Sequence, residues 1–150
     1  MNKTFILAMV KVTSLSIVIF VVSAFFIHNE KVIGWVVLGL GILSLASLKL
    51  FKIPIINVWP DIIFGIIDNG ILAILAIVGG AIAGVSGAVI GGAVGNAITD
   101  GIAGLFEGDL AEKLRVKHIS EERTMLGSAV GKMTGCLLGA GVILVLAGLI

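Results

Sequence analysis

Residues 62–106 read IIFGIIDNGILAILAIVGGAIAGVSGAVIGGAVGNAITDGIAGLF and contain only two charged side chains, Asp68 and Asp100. About 20 apolar residues cross a bilayer as a helix, so this stretch is long enough for two crossings. The small residues at 84–87 offer a place for a break between them. The sequence therefore predicts two antiparallel transmembrane helices that are joined at this break.

The rest of the chain has the same apolar character. Of its 150 residues, 59% are hydrophobic and 13% are charged, and the mean hydropathy is +1.23. A soluble domain carries roughly 45–50% apolar and about 25% charged residues. These values exclude an ordinary soluble domain, and the abundance of Val, Ile and Leu excludes a disordered chain. The net charge of +1 gives no reason to expect a nucleic-acid partner.

Five stretches are long and apolar enough to cross a membrane, which predicts an all-α integral membrane protein with five transmembrane helices in a lipid bilayer. The predicted spans cover about residues 5–27, 32–51, 61–84, 86–106 and 125–150. A cleaved signal peptide is the alternative for the first span. Its apolar run is long for such a peptide and lacks an Ala-x-Ala site, which favours a retained helix.

The charges of the predicted loops indicate the orientation of the chain in the membrane. One side would carry only Lys31, whereas the other would carry Lys3, Lys49, Lys52, Lys113, Arg115, Lys117 and Arg123. Cationic residues accumulate in cytoplasmic loops. We therefore expect a cytoplasmic N-terminus and, in a prokaryote, a location in the plasma (inner) membrane.

The distribution of glycine divides the chain near residue 60, because only three of the 21 glycines precede it. We predict a two-helix N-terminal hairpin with an interfacial linker over 1–59. A glycine-rich, three-helix, transporter-like domain over 60–150 follows, with a cytoplasmic loop at 107–124. Its last two spans repeat glycine every four residues, at Gly87, Gly91 and Gly95 and at Gly127, Gly131, Gly135 and Gly139. This spacing lets helix backbones approach closely and predicts a glycine-rich packed bundle, or a dimer interface along one groove.

The charges within the predicted spans are candidates for function, because an ionisable residue in a span costs at least a few kcal/mol. Asp68 and Asp100 are both expected in the cytoplasmic half, roughly 10 Å deep. Asn69, Asn96 and Lys132 are expected near them. Carboxylate and amide oxygens suit a divalent cation, and the carboxylates could also relay protons. The structural alternative is that Lys132 neutralises one aspartate as an ion pair.

The predicted cytoplasmic loop contains several carboxylates, among them Glu107, Asp109 and Glu112. They could attract cations to a cytoplasmic entrance, and a solvated connector is the alternative. The sequence contains no Walker-type loop, GxSxG, HExxH or paired CxxC motif. We therefore expect neither an enzyme nor a tightly bound cofactor.

Residues 60–71, PDIIFGIIDNGI, resemble the first helix of the vacuolar iron transporter family, which has an FGxNDG core. Residues 96–102, NAITDGI, followed by LAEK at 110–113, resemble the second helix of that family, of the form NLLADGISMxLGEYLAxKSE. The segment 124–150 is similar to the third helix in its small-residue packing. Two spans precede the matched region here, and the long cytoplasmic metal-binding helices of the family are reduced to a short loop.

This family moves ferrous iron and related divalent metals out of the cytosol, as homodimers, in exchange for protons. The resemblance implies that Asp68 is the pathway carboxylate and that Asp100 is the aspartate of the ADG element. Asn96 stands where members have glutamate or asparagine, and Gly104 replaces a methionine. We therefore predict a proton-coupled, homodimeric transporter-like protein for a divalent cation, Fe2+ or Mn2+. The alternative is a non-transporting packing or assembly subunit of a larger membrane complex, which would bind other membrane subunits.

Overall fold

A computed structural model describes residues 3–116 and 125–149, with side chains at 5–105 and 125–149. The described chain is helical and contains no strand. Its helices are α1 (Lys3–Phe26), α2 (Glu30–Leu50), α3 (Trp59–Val116) and α4 (Met125–Ala147), with a 3-10 turn at Ile55–Asn57 before α3. The predicted all-α class is confirmed.

Within the described residues, four helices are long and apolar enough to cross a membrane. Their apolar spans are Phe5–Phe26, Glu30–Leu50, Trp59–Leu105 and Met125–Ala147. This agrees with an integral membrane protein. The sequence predicted five spans, and the difference arises in α3, which contains the predicted third and fourth spans as one element of 58 residues.

The helix α3 is interrupted in its middle at Ala83 and Gly84. Gly84 has φ 61° and ψ −141°, a conformation that glycine adopts readily because it has no Cβ. Beyond this break the chain returns alongside itself. Residues at equal distances from the break meet: Asp68 with Thr99, Leu72 with Gly95, Leu75 with Gly91, and Gly79 with Gly87. The two halves of α3 therefore form an antiparallel hairpin at the break that the small residues predicted.

The helix α4 lies between α2 and the first half of α3. It runs parallel to the first half of α3, because successive glycines of α4 meet successive turns of α3: Gly131 with Asp61, Gly135 with Ile62 and Gly139 with Ile66. It runs antiparallel to α2, where Gly41 meets Leu138 and Gly141 meets Leu38. By contrast, no residue in the apolar window of α1 is buried. Most of the packing therefore lies among α2, α3 and α4, and α1 adds Val12 and Leu15 at the edge of the core.

A small apolar core lies where the connector between α2 and α3 meets α4. It consists of Leu48, Val58, Ile62 and Val130. Trp59 begins α3 and leaves about half of its side chain exposed. This core fixes the first turn of α3, which carries Asp61, against the start of α4.

Candidate intramembrane carboxylate site

Two aspartates, Asp61 and Asp68, are buried on one face of the first half of α3. Only 1% of Asp61 and 8% of Asp68 is exposed. A separation of seven residues places both on the same side of the helix, about 10.5 Å apart along its axis. Buried ionisable residues within a span are costly and mark ion or proton pathways by default. This face of α3 is therefore the candidate functional site.

Asp68 contacts the returning half of α3. Thr99 donates a hydrogen bond from Oγ1 to Oδ1 of Asp68 across the hairpin. The same hydroxyl oxygen lies 3.0 Å from the carbonyl oxygen of Gly95 and 3.1 Å from that of Asn96. Thr99 is itself buried. The second half of α3 thus holds the Asp68 carboxyl group in place from inside the hairpin.

The Thr99 hydroxyl can serve Asp68 in both protonation states, because a hydroxyl has one hydrogen and two acceptor lone pairs. It donates to Asp68 when that carboxylate is ionised. When Asp68 is protonated, its O–H can donate to Oγ1, and the hydroxyl hydrogen can turn to the carbonyl of Gly95. A buried carboxyl group that exchanges a proton within a membrane needs a hydrogen-bond partner both when it is protonated and when it is ionised.

Asp61 contacts α4 at the end of the bundle where α3 begins. Ser128 donates from Oγ to Oδ1 of Asp61 over 3.0 Å. A Cβ built on Gly131 would lie 3.0 Å from Cβ of Asp61, so α4 approaches closely at this point. The carboxylate also lies in the first turn of α3, where the helix dipole stabilises negative charge. Asp61 is therefore fixed both by α4 and by its own helix.

Lys132 on α4 faces the stretch of α3 between the two aspartates. Its Nζ lies 5.5 Å from the centroid of the Phe64 ring. A Cβ built on Gly65 would lie 2.6 Å from the carbonyl oxygen of Lys132. Since Phe64 and Gly65 follow Asp61 and precede Asp68, one interface contains two carboxylates and one ammonium group.

Asp100 lies in a different environment from Asp68. It is exposed on the second half of α3, where Asn96, one turn away, donates from Nδ2 to Oδ2 over 2.8 Å. The sequence places these two aspartates on one pathway. In the structure Thr99, the residue before Asp100, contacts Asp68, while Asp100 lies on the outer face of the hairpin.

The other predicted ligands are only partly described. Asn69 is half-buried beside Asp68. The backbone of α3 continues through Glu107, Asp109 and Glu112, but their side chains lie outside the described ones. In the part of the chain with described side chains, no group of three or more His, Cys, Asp or Glu could hold a metal ion. A cation bound by these residues would need amide, hydroxyl or water oxygens in addition.

The predicted packing glycines lie at two helix contacts. On the second half of α3, a Cβ on Gly87, Gly91 or Gly95 would meet the backbone of the first half. On α4, a Cβ on Gly135 or Gly139 would meet the backbone of α3. Gly131 faces Asp61 and Val58, and Gly127 is buried.

Sequence reasoning did not select three polar residues that the structure brings into the site or next to it. Asp61 directly follows Pro60, where the start of a helix is sufficient to explain an aspartate, although its spacing from Asp68 puts both on one face. Ser128 lies four residues before Lys132 and shares its face of α4. Thr134 joins α4 to α2, because its Oγ1 donates to Oγ of Ser44 over 2.9 Å and both residues are fully buried.

Comparison with known proteins adds no relative. No protein-family model matches the chain, and no curated protein or solved structure matches it. The resemblance to vacuolar iron transporters therefore rests on the motif residues alone.

Proposed function

We propose that this protein crosses the membrane five times, with each half of α3 as one span. The apolar part of α3 has 47 residues, and a straight helix of that length would measure about 70 Å. The hydrocarbon core is only about 30 Å thick. Two antiparallel halves match this thickness, and the close glycine contacts support a glycine-rich packed bundle. The loop cations favour a cytoplasmic N-terminus and, in a prokaryote, the inner membrane.

In this membrane we propose that the protein transports a divalent cation, Fe2+ or Mn2+, in exchange for protons. The observation that carries the proposal is the buried Asp68, held by a hydroxyl that suits both of its protonation states. Oxygen ligands are those that hard divalent cations prefer. The choice of iron or manganese follows from the resemblance to vacuolar iron transporters.

Each polar residue has a role in this proposal. Asp68 binds the partly dehydrated ion and releases its proton, and Asp61 extends the acidic face by two helical turns. The amide oxygen of Asn69 adds to the ligands around the cation, whereas Asn96 lies with Asp100 on the outer face of the hairpin. The carboxylates of the cytoplasmic segment, Glu107, Asp109 and Glu112, collect ions at the entrance to the pathway.

We further propose a homodimer in which a second copy covers the outer face of the hairpin. A carboxylate exposed to lipid is unfavourable, and Asp100 and Asn96 are both exposed in the single chain. The Asn96–Asp100 pair offers both hydrogen-bond donors and acceptors. Around a two-fold axis, it could bond the same pair of the second copy. A second copy there would also bring Asp100 into the protein interior, where it could serve the cation.

Reconstituted liposomes test this proposal. With a pH gradient, the wild-type protein should accumulate Mn2+ or Fe2+, and Asp68→Asn should abolish the uptake. Glu30→Gln is the matched control, because Glu30 is an exposed carboxylate at the start of α2. Its uptake should equal that of the wild type. Equal uptake by wild-type protein and Asp68→Asn would refute the proposal.

The second candidate function is that of an assembly subunit, and the exposed Asn96–Asp100 pair favours it as well. A helix of another membrane protein could cover the same face. Purification in a gentle detergent separates the two functions. A stable homodimer supports the transporter, whereas stoichiometric co-purification of other membrane proteins supports the subunit. Neither function requires enzymatic activity or a tightly bound cofactor.

A further inference from the structure

Lys132 is placed between the two buried carboxylates of α3. Its Nζ lies over the ring of Phe64, 5.5 Å from the centroid. Phe64 follows Asp61 by three residues and precedes Asp68 by four, so all three share one side of the helix. Along the helix axis Phe64 is about 4.5 Å from the level of Asp61 and about 6 Å from that of Asp68.

The backbone fixes this placement. The carbonyl oxygen of Lys132 would lie 2.6 Å from a Cβ at Gly65, so α4 contacts α3 directly at the level of the ammonium group. One turn further along α4, the backbone nitrogen of Cys136 would lie 2.7 Å from the same Cβ, so the close approach continues toward the level of Asp68. The positive charge therefore belongs to the same interface as the carboxylates and is not turned to a distant surface.

The ammonium group of Lys132 compensates part of the negative charge of this interface without any bound ion. Once Asp68 has released the proton that it exchanges, two carboxylates and one ammonium group leave a net charge of −1. Within a membrane span, buried charges have to be compensated by partners. An incoming metal ion would therefore meet carboxylates whose negative charge the ammonium group of Lys132 already compensates in part.

We propose that Lys132 is a tethered cation, which compensates the Asp61–Asp68 face in the absence of substrate and which a divalent cation has to displace. This inference rests on the proposed transport function and adds Asp61 as a second carboxylate of the pathway. Lys132 is a positioning residue that sets the apparent affinity for the ion. It does so by competing for the carboxylates, since it has no oxygen ligand to offer.

Binding of Mn2+ to the full-length protein tests the competition. Thermal unfolding in mild detergent is followed by tryptophan fluorescence during a titration with MnCl2. In Lys132→Met, the onset concentration, at which Mn2+ first raises the unfolding temperature above its value in EDTA, should be at least about tenfold lower than in the wild type, because a nearby like charge is gone. Lys11→Met is the matched control. Lys11 is also a lysine over an aromatic ring, 5.0 Å from the centroid of Phe51, but it belongs to α1 and not to α4, and its onset concentration should not change.

Stability without metal is the second readout. In EDTA, Lys132→Met should unfold at least about 5 °C below the wild type, because two carboxylates lose their compensating charge. Adding Asp61→Asn or Asp68→Asn to this variant should restore the unfolding temperature. If Lys132→Met cannot be purified, recovery of folded protein by either double variant supports the tethered cation. Failure of both double variants overturns it.

The outcomes separate this inference from the transport proposal. A tenfold difference in the Mn2+ onset concentration, together with wild-type protein that carries no ion in liposomes, supports the tethered cation and refutes transport. Transport by the wild type with equal onset concentrations in wild type and Lys132→Met overturns the tethered cation alone. Absence of any Mn2+-dependent shift in both proteins also overturns it.

Discussion

The contact between α3 and α4 depends on the missing side chain of Gly135. A Cβ at this position would collide with the carbonyl oxygen of Ile62 and would lie 2.9 Å from Cα of Gly65. Ordinary carbon–carbon contacts are about 3.5–4.0 Å. Gly135→Ala therefore forces the two helices apart by the better part of an ångström at the centre of their contact.

The cost follows from the fact that the colliding atoms belong to the backbone. A flexible side chain could turn away, but a helix can only move as a whole and takes its neighbouring contacts with it. Overpacking of this kind costs about 1–3 kcal/mol. Replacing glycine by alanine also stabilises a helix by nearly 1 kcal/mol, and this gain offsets part of the cost of overpacking.

A second glycine variant removes this ambiguity. Gly39→Ala in α2 has the same gain in helix propensity, but its Cβ would meet nothing within 4 Å. The difference between the two variants isolates the collision, and we expect Gly135→Ala to be less stable by about 1–3 kcal/mol. At about 2–4 °C per kcal/mol, this corresponds to a difference of about 2–12 °C in unfolding temperature.

The assay is the loss of the monodisperse peak in size-exclusion chromatography after the detergent-solubilised protein has been heated to a series of temperatures. Both variants and the wild type are compared at one protein concentration, because oligomers make the unfolding temperature depend on concentration. Equal unfolding temperatures for Gly135→Ala and Gly39→Ala would refute the close backbone contact between α3 and α4.

Three further predictions concern other contacts. Gly84→Ala should cost about 1–3 kcal/mol of stability, measured by the same heating assay, because alanine is strained at the positive φ of the hairpin break. Thr99→Val should destabilise the protein by about 1–3 kcal/mol and lower Mn2+ uptake, because it removes the hydroxyl that bonds Asp68. Thr99→Ser keeps a hydroxyl and should keep both the stability and the uptake. Unchanged uptake in the valine variant would contradict this role. A double-mutant cycle with Ser44→Ala and Thr134→Val should give a coupling of about 0.6 kcal/mol and at most about 1.7, and additive effects would show that the bond contributes nothing.

Hydrophobic length was sufficient to predict the all-α class, but it predicted five spans where the described residues form four long apolar helices. The all-α class and the break near residue 84 follow from long apolar runs and from small residues between them. Pro60 and Asp61 lie in the first turn of α3 for a similarly local reason, since proline suits a first helical turn and aspartate the positive end of the dipole. These features depend on neighbours in the chain, and the chain alone determines them.

The partners within the site could not be predicted in the same way. The choice between Thr99 and Asp100 as the residue facing Asp68 depends on the rotation of one helix by a single residue, about 100°. The second half of α3 is apolar nearly all round, so no polar face indicates which side turns inward. Asp61 was overlooked because its local role at a helix start was sufficient to explain it, and only the position of α4 shows Ser128 beside it.

The position of α4 between two neighbours restricts how the proposed transporter can move. Toward α3 it presents Ser128 and Lys132, and toward α2 it presents Thr134, only two residues after Lys132. Close backbone contacts continue from the Ser44–Thr134 bond to the far end of α2, where Gly34 meets Val145. Sliding α4 along α2 would break all of these contacts, and moving the first half of α3 away from α4 would break the close backbone contacts of Gly135 with Ile62 and of Gly139 with Ile66. We therefore expect α2, α4 and the first half of α3 to act as one rigid unit, so that the ion displaces the side chain of Lys132 and not a whole helix.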